Sequence, residues 1–277
     1  LPIAGEVRVS VGDRVSADDV VAETALPGNV NPINLSNQMS LPPKDVIACM
    51  LKQEGEPIAK DEPLAQTKGI FGMFKTTVNS RFEGTVETVS PVTGQVIIRG
   101  APLPVQVRAY IGGEVVSVSE HEGCEVEADI AYMQGIFGVG GETHGPIMVA
   151  CDSNDQVVTP DLITADMKGA VIIGGARITV EAIKKAQSIG AAAIISGGLD
   201  DEDLKSLLGY DLGVAITGRE NLGITVIVSE GFGDIAMAER TFAMLKEHSG
   251  HEASVNGATQ IRAGVMRPEV IIPLSEV

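Results

Sequence analysis

The stretch at residues 134–145, which reads QGIFGVGGETHG, divides the chain into two parts with different patterns of apolar residues. Before it, apolar and polar residues alternate over short segments, which is typical of β-strands. After it, continuous apolar runs alternate with amphipathic segments, which indicates strands alternating with helices. A chain of 277 residues is near the size at which one core stops growing, so we expect two domains. We predict a β-rich domain at 1–134, a glycine-rich hinge at 135–145 and an α/β domain at 146–277.

The first part contains an internal repeat. Residues 12–24 read GDRVSADDVVAET and residues 55–67 read GEPIAKDEPLAQT, so that Gly12 aligns with Gly55. Each copy predicts a strand, a tight glycine turn and a second strand. Proline and asparagine are dense at residues 27–51, between the two copies, and this predicts an irregular insertion with a short helix at 44–51.

With the segments VNSRFEGTVETV at 78–89 and PVTGQVII at 91–98, the repeat resembles the biotinyl/lipoyl-like family over most of residues 1–130. The resemblance implies a barrel-sandwich hybrid fold. Carriers of that family present one lysine at a hairpin tip, and Lys75 is the candidate for modification here. Phe74 separates it from Met73, no second methionine follows and no aspartate precedes it. We therefore expect neither covalent biotin nor lipoyl, and predict no cofactor.

The second part predicts an α/β domain with a mainly parallel sheet. The predicted strands are 147–150, 170–173, 192–195 and 224–228, and the predicted helices are 180–188, 201–208 and 235–247. Continuous apolar runs are typical of strands buried on both faces, and the alternation favours right-handed crossovers. Through residues 168–195, the region 145–277 resembles protease-associated and other swivelling β/β/α domains. That resemblance implies a binding or lid domain rather than a catalytic one.

Glycines follow each of three predicted strands at the edge where α/β sheets bind ligands. The candidate ligand-binding residues are Gly174, Gly175, Arg177, Gly197, Gly198, Gly231, Gly233, Arg262 and Arg267. The arginines favour a small anionic ligand with a carboxylate or phosphate group. Two alternatives stay open: glycine also permits a tight turn before a helix, and arginine also pairs with acidic side chains.

Glu142 and His144 are the candidate catalytic residues, because they form the one acid/base pairing flanked by glycines. A structural role for His144 is the alternative, and no nucleophile can be assigned. The three cysteines form no CxxC pair, and no HExxH or GxSxG motif occurs, so no metal site is predicted.

The formal net charge is −17, from 37 acidic and 20 basic residues. This charge repels phosphate backbones and anionic lipids, so we expect neither nucleic acid nor a membrane as a partner. Sparse cysteines and the lack of a membrane-length apolar run favour a cytoplasmic protein.

We predict a non-catalytic binding or scaffold protein. Its β domain docks a protein partner or a second copy of the chain, and its α/β domain binds a small ligand at the glycine-rich turns. The alternative is an enzyme or carrier subunit that uses Lys75 for attachment, or Glu142 and His144 as an acid/base site.

Overall fold

The computed structural model describes residues 1–68, 75–209, 222–259 and 266–274. Its secondary structure is mostly β. The chain forms two compact units: a first unit of Leu1–Glu6 and Ala22–Val107, and a second unit of Val7–Val21 and Arg108–Val277. None of the helices in the described ranges combines the length and the apolar composition that crossing a membrane requires.

Short strands dominate the chain up to residue 108. In order, they are β1 Glu6–Val7, β2 Arg14–Val15, β3 Val20–Leu26, β4 Val30–Asn34, β5 Pro57–Ile58, β6 Pro63–Gln66, β7 Thr77–Asn79, β8 Gly84–Val89, β9 Gln95–Arg99 and β10 Leu103–Arg108. A four-stranded sheet has the order β4-β9-β8-β5, β6 pairs with β7, and a three-stranded sheet has the order β1-β3-β10. The core of the first unit forms around the fully buried side chains of Leu35, Leu64, Val86 and Ile98.

The segment at 27–51 is more regular than the predicted irregular insertion. It holds β4, the helices α1 Leu35–Met39 and α2 Pro43–Val46, and a 3-10 turn at Ile47–Cys49. Pro32 is tolerated because β4 is an edge strand, where one side needs no N–H donor. The predicted helix at 44–51 ends early because Met50 is extended and bridges to Ala65.

The second unit contains the remaining strands and three longer helices. The strands are β11 Gly113–Ser119, β12 Gly123–Glu127, β13 Ile130–Gln134, β14 Phe137–Val139, β15 Glu142–Val149, β16 Val171–Ile173, β17 Arg177–Ile178, β18 Ala193–Leu199, β19 Thr225–Phe232, β20 Glu252–Asn256 and β21 Glu269–Pro273. The helices are α3 Val180–Ile189, α4 Asp201–Leu208 and α5 Glu239–Glu247, with 3-10 turns at Pro160–Leu162 and Ala165–Met167.

Nine of these strands form one mixed sheet in the order β13-β21-β20-β15-β16-β18-β19-β14, with β17 beside β18. The pairings of β15, β16, β17, β18 and β19 with one another are parallel, as predicted for the apolar runs. The other four pairings are antiparallel, so the sheet is not mainly parallel. The difference arises because the glycine-rich stretch and the C-terminal region supply strands to both edges.

Two predicted helices are confirmed. The Thr179 hydroxyl caps α3 by accepting the N–H of Ala182, and Gly190 ends it in a left-handed conformation with φ +78°. α4 has the predicted bounds. α5 starts at residue 239 rather than 235, because the Met237 N–H is held by the carbonyls of Asn154 and Gly175, at 3.1 and 3.2 Å.

The internal repeat is confirmed in hydrogen-bonding detail. Gly12 and Gly55 have φ of +92° and +90°, a region that glycine occupies without strain. In each turn the next carboxylate, from Asp13 or Glu56, accepts a 2.7 Å hydrogen bond from the backbone N–H three positions earlier. The two sequences therefore form the same turn.

The repeat also extends to the hairpin that each turn contacts. The Gly12 N–H donates to the Val115 carbonyl at 2.8 Å, and the Gly55 N–H donates to the Val86 carbonyl at 2.7 Å. The hairpins β8–β9 and β11–β12 each carry a bulge directly after that valine. A turn and a bulged hairpin thus occur twice. We call residues 53–66 with 77–99 the first-unit lobe, and residues 7–21 with 108–127 the second-unit lobe.

Candidate functional site

The glycine-rich stretch at 134–145 is held by close packing in the second unit. The Thr259 hydroxyl accepts the Gly138 N–H at 2.9 Å and donates to the Gly138 carbonyl at 3.0 Å, which satisfies the outer side of β14. A Cβ at Gly138 would lie 2.7 Å from the carbonyl oxygen of Gly257. Gly140 has a φ of +104°, which leads the chain from β14 into β15. These contacts therefore fix the conformation of the chain that leads into residues 142–144.

His144 lies on β15 between two carboxylates. Its Nδ1 is 2.7 Å from Glu252 Oε1, and its Nε2 is 3.1 Å from Asp18 Oδ2, while Arg108 also pairs with Asp18. The hydrogen bond that His144 donates to Glu252 raises the pKa of His144; burial opposes the shift, and the charge of Asp18 adds to it. Desolvation by itself would raise the pKa of Asp18. The charges of His144 and Arg108 outweigh this effect, so the pKa of Asp18 is lowered.

We call Asp18, His144 and Glu252 the imidazole bridge. Because both ring nitrogens donate to carboxylates, the charged imidazole has no free lone pair with which to accept a proton. The bridge joins the second-unit lobe to β15 and β20. Its chemistry is that of an electrostatic link between two parts of the second unit.

Glu142 shares a face of β15 with His144, since side chains two residues apart on a strand point the same way. The two do not pair with each other, because His144 is bonded to the other two acids. The Glu142 side chain is exposed. Within the described part of the chain, no hydrogen bond or ion pair joins its carboxylate to another side chain.

The same sheet face carries a second polar contact with the second-unit lobe. The hydroxyls of Tyr110 and Tyr132 each donate to one oxygen of Glu269, at 3.4 Å. Burial raises the pKa of Tyr110 strongly, and the negative charges of Glu269 and Glu142 add to the shift. Tyr110 has a φ of +70°, and its carbonyl accepts the Ser254 hydroxyl. The lobe is thus fixed to the sheet at two places.

Sequence patterns alone did not identify Asp18, Glu252, Tyr110 or Glu269. The pairing of β15, β20 and β21 places Glu252 and Glu269 on the same face as His144, and Asp18 and Tyr110 contact that face from the second-unit lobe. The sequence signal that could have indicated a polar sheet face was the recurrence of polar residues at alternate positions of β15 and β20.

The carboxyl ends of β16, β18 and β19 carry or adjoin the glycines predicted to line a ligand crevice, Gly174, Gly175, Gly197, Gly198, Gly231 and Gly233. β18 and β19 run through their glycines rather than ending before them. A Cβ at Gly175 would lie 2.4 Å from the Ser153 carbonyl oxygen, and one at Gly197 would lie 2.2 Å from that of Ile235. The chain's own backbone therefore packs against this edge.

Arg177, another candidate, already has acidic partners. Arg177 pairs with Asp200 and lies 3.9 Å from Asp203. Those contacts, led by the Asp200 hydrogen bond, raise the pKa of the guanidinium and hold it charged. Arg267 is exposed, and Arg262 lies outside the described residues.

Lys75 is exposed and lies two residues before β7, in the β6–β7 hairpin. The last backbone hydrogen bond of this hairpin in the described residues runs from the Thr67 N–H to the Thr76 carbonyl, at 2.9 Å. Lys75 therefore directly precedes Thr76, which forms the last described backbone hydrogen bond between the two strands.

A pocket of about 350 Å³ opens at the opposite edge of the mixed sheet, where β15, β18 and β19 begin. Its described lining comprises Gly140, Gly141, Glu142, Thr143, Ala191, Ala192, Leu222, Gly223, Ile224 and Thr225. We call it the amino-edge pocket. It is formed by the glycine-rich stretch together with the residues just before β18 and β19.

A second pocket, of about 310 Å³, lies in the second unit and includes Arg14, Glu114, Glu127 and Asp129. Among the residues that the structure describes, no group of three or more His, Cys, Asp or Glu side chains could hold a metal ion.

No protein-family model matches the chain, and neither a curated protein nor a solved structure matches it. The inferences about function that follow therefore rest on the geometry of the molecule.

Proposed function

We propose that this protein is a non-catalytic binding and scaffold protein whose small ligand occupies the amino-edge pocket. The observation that carries the proposal is the pocket itself. Its volume of about 350 Å³ falls within the range of roughly 300–1,000 Å³ that is usual for small-molecule sites. Its described lining combines four aliphatic side chains with three glycines, two threonines and the carboxylate of Glu142, so polar groups that could orient a ligand are present beside apolar ones.

The arrangement of the acid/base candidates supports binding rather than catalysis. The imidazole bridge engages both nitrogens of His144. Glu142, the remaining candidate, lines the pocket without a described basic partner. In this proposal Glu142 contacts the ligand, and His144 fixes the lobe beside the pocket.

The scaffold part of the proposal concerns the β-rich region. The two copies of a glycine turn with a bulged hairpin support a barrel-sandwich hybrid related to biotinyl/lipoyl-like domains, within the predicted domain of residues 1–134. The region would dock a protein partner or a second copy of the chain. Large apolar side chains exposed in the first unit support this role, among them Val30, Ile47, Leu51, Val92 and Leu103.

The location proposed for the protein is cytoplasmic, which agrees with the free thiols of Cys49, Cys124 and Cys151. Fractionation of the native host would test it, and recovery outside the cytoplasm would contradict it.

A thermal-shift screen with a pocket-blocking variant tests ligand binding. A Cβ at Gly141 would meet no atom within 4 Å, so Gly141→Leu fills the pocket without a backbone clash. Thr88→Leu, at an exposed strand position of the first unit, is the matched control. Nucleotides, sugar phosphates, carboxylates, amines and neutral alcohols form the library.

We expect at least one compound to raise the melting temperature of the wild type and of Thr88→Leu, with no effect on Gly141→Leu. The proposal fails if no compound stabilises the wild type, or if every stabilising compound acts equally on Gly141→Leu.

A carrier role is the second candidate function, and the position of Lys75 beside the last described pair of the β6–β7 hairpin favours it. Intact-mass spectrometry of the protein from its native host separates the two candidates. A mass increase lost in Lys75→Arg would establish the carrier, whereas the unmodified mass would eliminate it.

A further inference from the structure

We propose that the ligand of the amino-edge pocket is a small organic cation, an aliphatic group bearing an ammonium head that pairs with Glu142. This inference rests on the proposed function, because it requires that the pocket binds a ligand. It replaces the anionic ligand expected from the arginines, since neither Arg177 nor Arg267 belongs to the described lining of the pocket.

Charge is the first argument. Glu142 is the only ionisable side chain in the described lining of the pocket. His144, on the same strand face, has its positive charge matched by Asp18 and Glu252 and so does not neutralise Glu142. Among the described residues of the lining, this negative charge is therefore left unbalanced, which attracts a cation and repels carboxylates and phosphates. The net charge of −17 reinforces that preference over a longer range.

The hydrogen-bonding groups of the lining are the second argument. The Thr225 hydroxyl donates to the Gly141 carbonyl at 3.1 Å, and the same carbonyl accepts the Gly257 N–H at 3.2 Å. These groups are already bonded to one another, which disfavours a ligand with many hydroxyl groups, because such a ligand would lose hydrogen bonds to water.

The apolar walls are the third argument. Ala191, Ala192, Leu222 and Ile224 are the aliphatic side chains of the lining, and Ala192 and Leu222 are the partly exposed ones. Such walls favour an aliphatic body, and the carboxylate favours an ammonium group at one end of it. Both parts of the ligand are thus specified by side chains of the same pocket.

Three compounds with the same tail isolate the effect of head-group charge: n-hexylammonium, n-hexanol and n-hexanoate. Each is titrated into ¹⁵N-labelled protein at low ionic strength, and dissociation constants are read from the amide shifts of Gly140 and Gly141. Glu142→Gln removes the charge and keeps the shape. Glu83→Gln, an exposed glutamate of the first unit, is the matched control.

We expect n-hexylammonium to bind at least about fivefold more tightly than n-hexanol, the factor expected for one ion pair close to water, and n-hexanoate to bind most weakly. Glu142→Gln should abolish the difference between the ammonium and the alcohol, and Glu83→Gln should preserve it.

Equal binding of all three compounds, or preference for n-hexanoate, overturns the cation proposal and leaves the pocket as a ligand site. A preference for the ammonium that survives Glu142→Gln also overturns it. Absence of shifts with all three compounds overturns the cation proposal too; the broader thermal-shift screen then decides separately whether the pocket binds anything.

Discussion

Replacing His144 with glutamine is expected to weaken the docking of the second-unit lobe onto the mixed sheet. The substitution keeps a polar side chain of similar length but removes the positive charge between Asp18 and Glu252. Those carboxylates are then left near each other without a shared cation. The lobe would retain its contact through Tyr110 and Glu269, so we expect destabilisation rather than unfolding.

The size of the effect follows from exposure. The His144 side chain is 35% exposed, so solvent screens its ion pairs considerably. Exposed ion pairs contribute roughly 0.2–1 kcal/mol, and the 2.7 Å contact with Glu252 is the shorter of the two. We therefore expect a loss of about 1 kcal/mol in the free energy of unfolding at pH 6.

The effect must depend on pH with a definite sign. The pKa of His144 is raised in the folded state, mainly by its hydrogen bond to Glu252. Its stabilising contribution is therefore fully present below the unfolded pKa of about 6.5 and is lost as pH rises through the higher folded value. The wild type should approach His144→Gln in stability as the pH is raised from 6 to 9.

Urea unfolding of both proteins at pH 6 and pH 9, at low salt, provides the measurement. His121→Gln is the control, because the exposed His121 ring lies outside the imidazole bridge. An equal loss for His144→Gln at both pH values would refute the role of a charged imidazole. A larger loss at pH 9 would reverse the sign and refute it as well.

Five further substitutions test packing and the repeat. Gly197→Ala should cost roughly 2 kcal/mol or more in urea unfolding, since its Cβ would lie 2.2 Å from a backbone oxygen; a neutral result would mean that the carboxyl edge is open. Thr259→Val should cost about 1–3 kcal/mol, because both backbone groups of Gly138 lose their partner, and Thr259→Ser should restore most of the stability. Gly12→Ala and Gly55→Ala should each cost about 1 kcal/mol, and clearly unequal losses would argue against equivalent turns.

The centre of the mixed sheet could be predicted because its signals are local. Continuous apolar runs correctly gave the parallel strands, and Thr179 and Gly190 marked the ends of α3. The repeat was found from the aligned glycine turns at Gly12 and Gly55. The second half of the repeat, the bulged hairpins, could not be recognised from the sequence, because residues 84–89 and 113–119 share only a glycine and two valines.

At the carboxyl edge, the sequence could not distinguish two reasons for a glycine. A missing Cβ has the same sequence signature whether a ligand or another backbone segment approaches. At Gly175 and Gly197 it is the protein's own backbone, and only the fold distinguishes the two cases. The antiparallel edge strands were missed for a related reason, because pairing between distant segments leaves no periodic signal in either segment.

Glu142 and His144, predicted as an acid/base pair within the glycine-rich hinge, both lie on β15 and do not pair with each other. His144 bonds to Glu252, 108 residues away in the sequence, and to Asp18 in the second-unit lobe. The predicted roles of Arg262 and Lys75, the domain boundaries and the protein partner stay predictions.

A crystal structure of the protein with the compound that most raises its melting temperature is the most direct test of ligand binding at the amino-edge pocket. The account predicts ligand density between Gly140, Gly141 and Glu142 on one side and the residues before β18 and β19 on the other. Density at the opposite edge, against Gly174, Gly175 or Gly197, would contradict it.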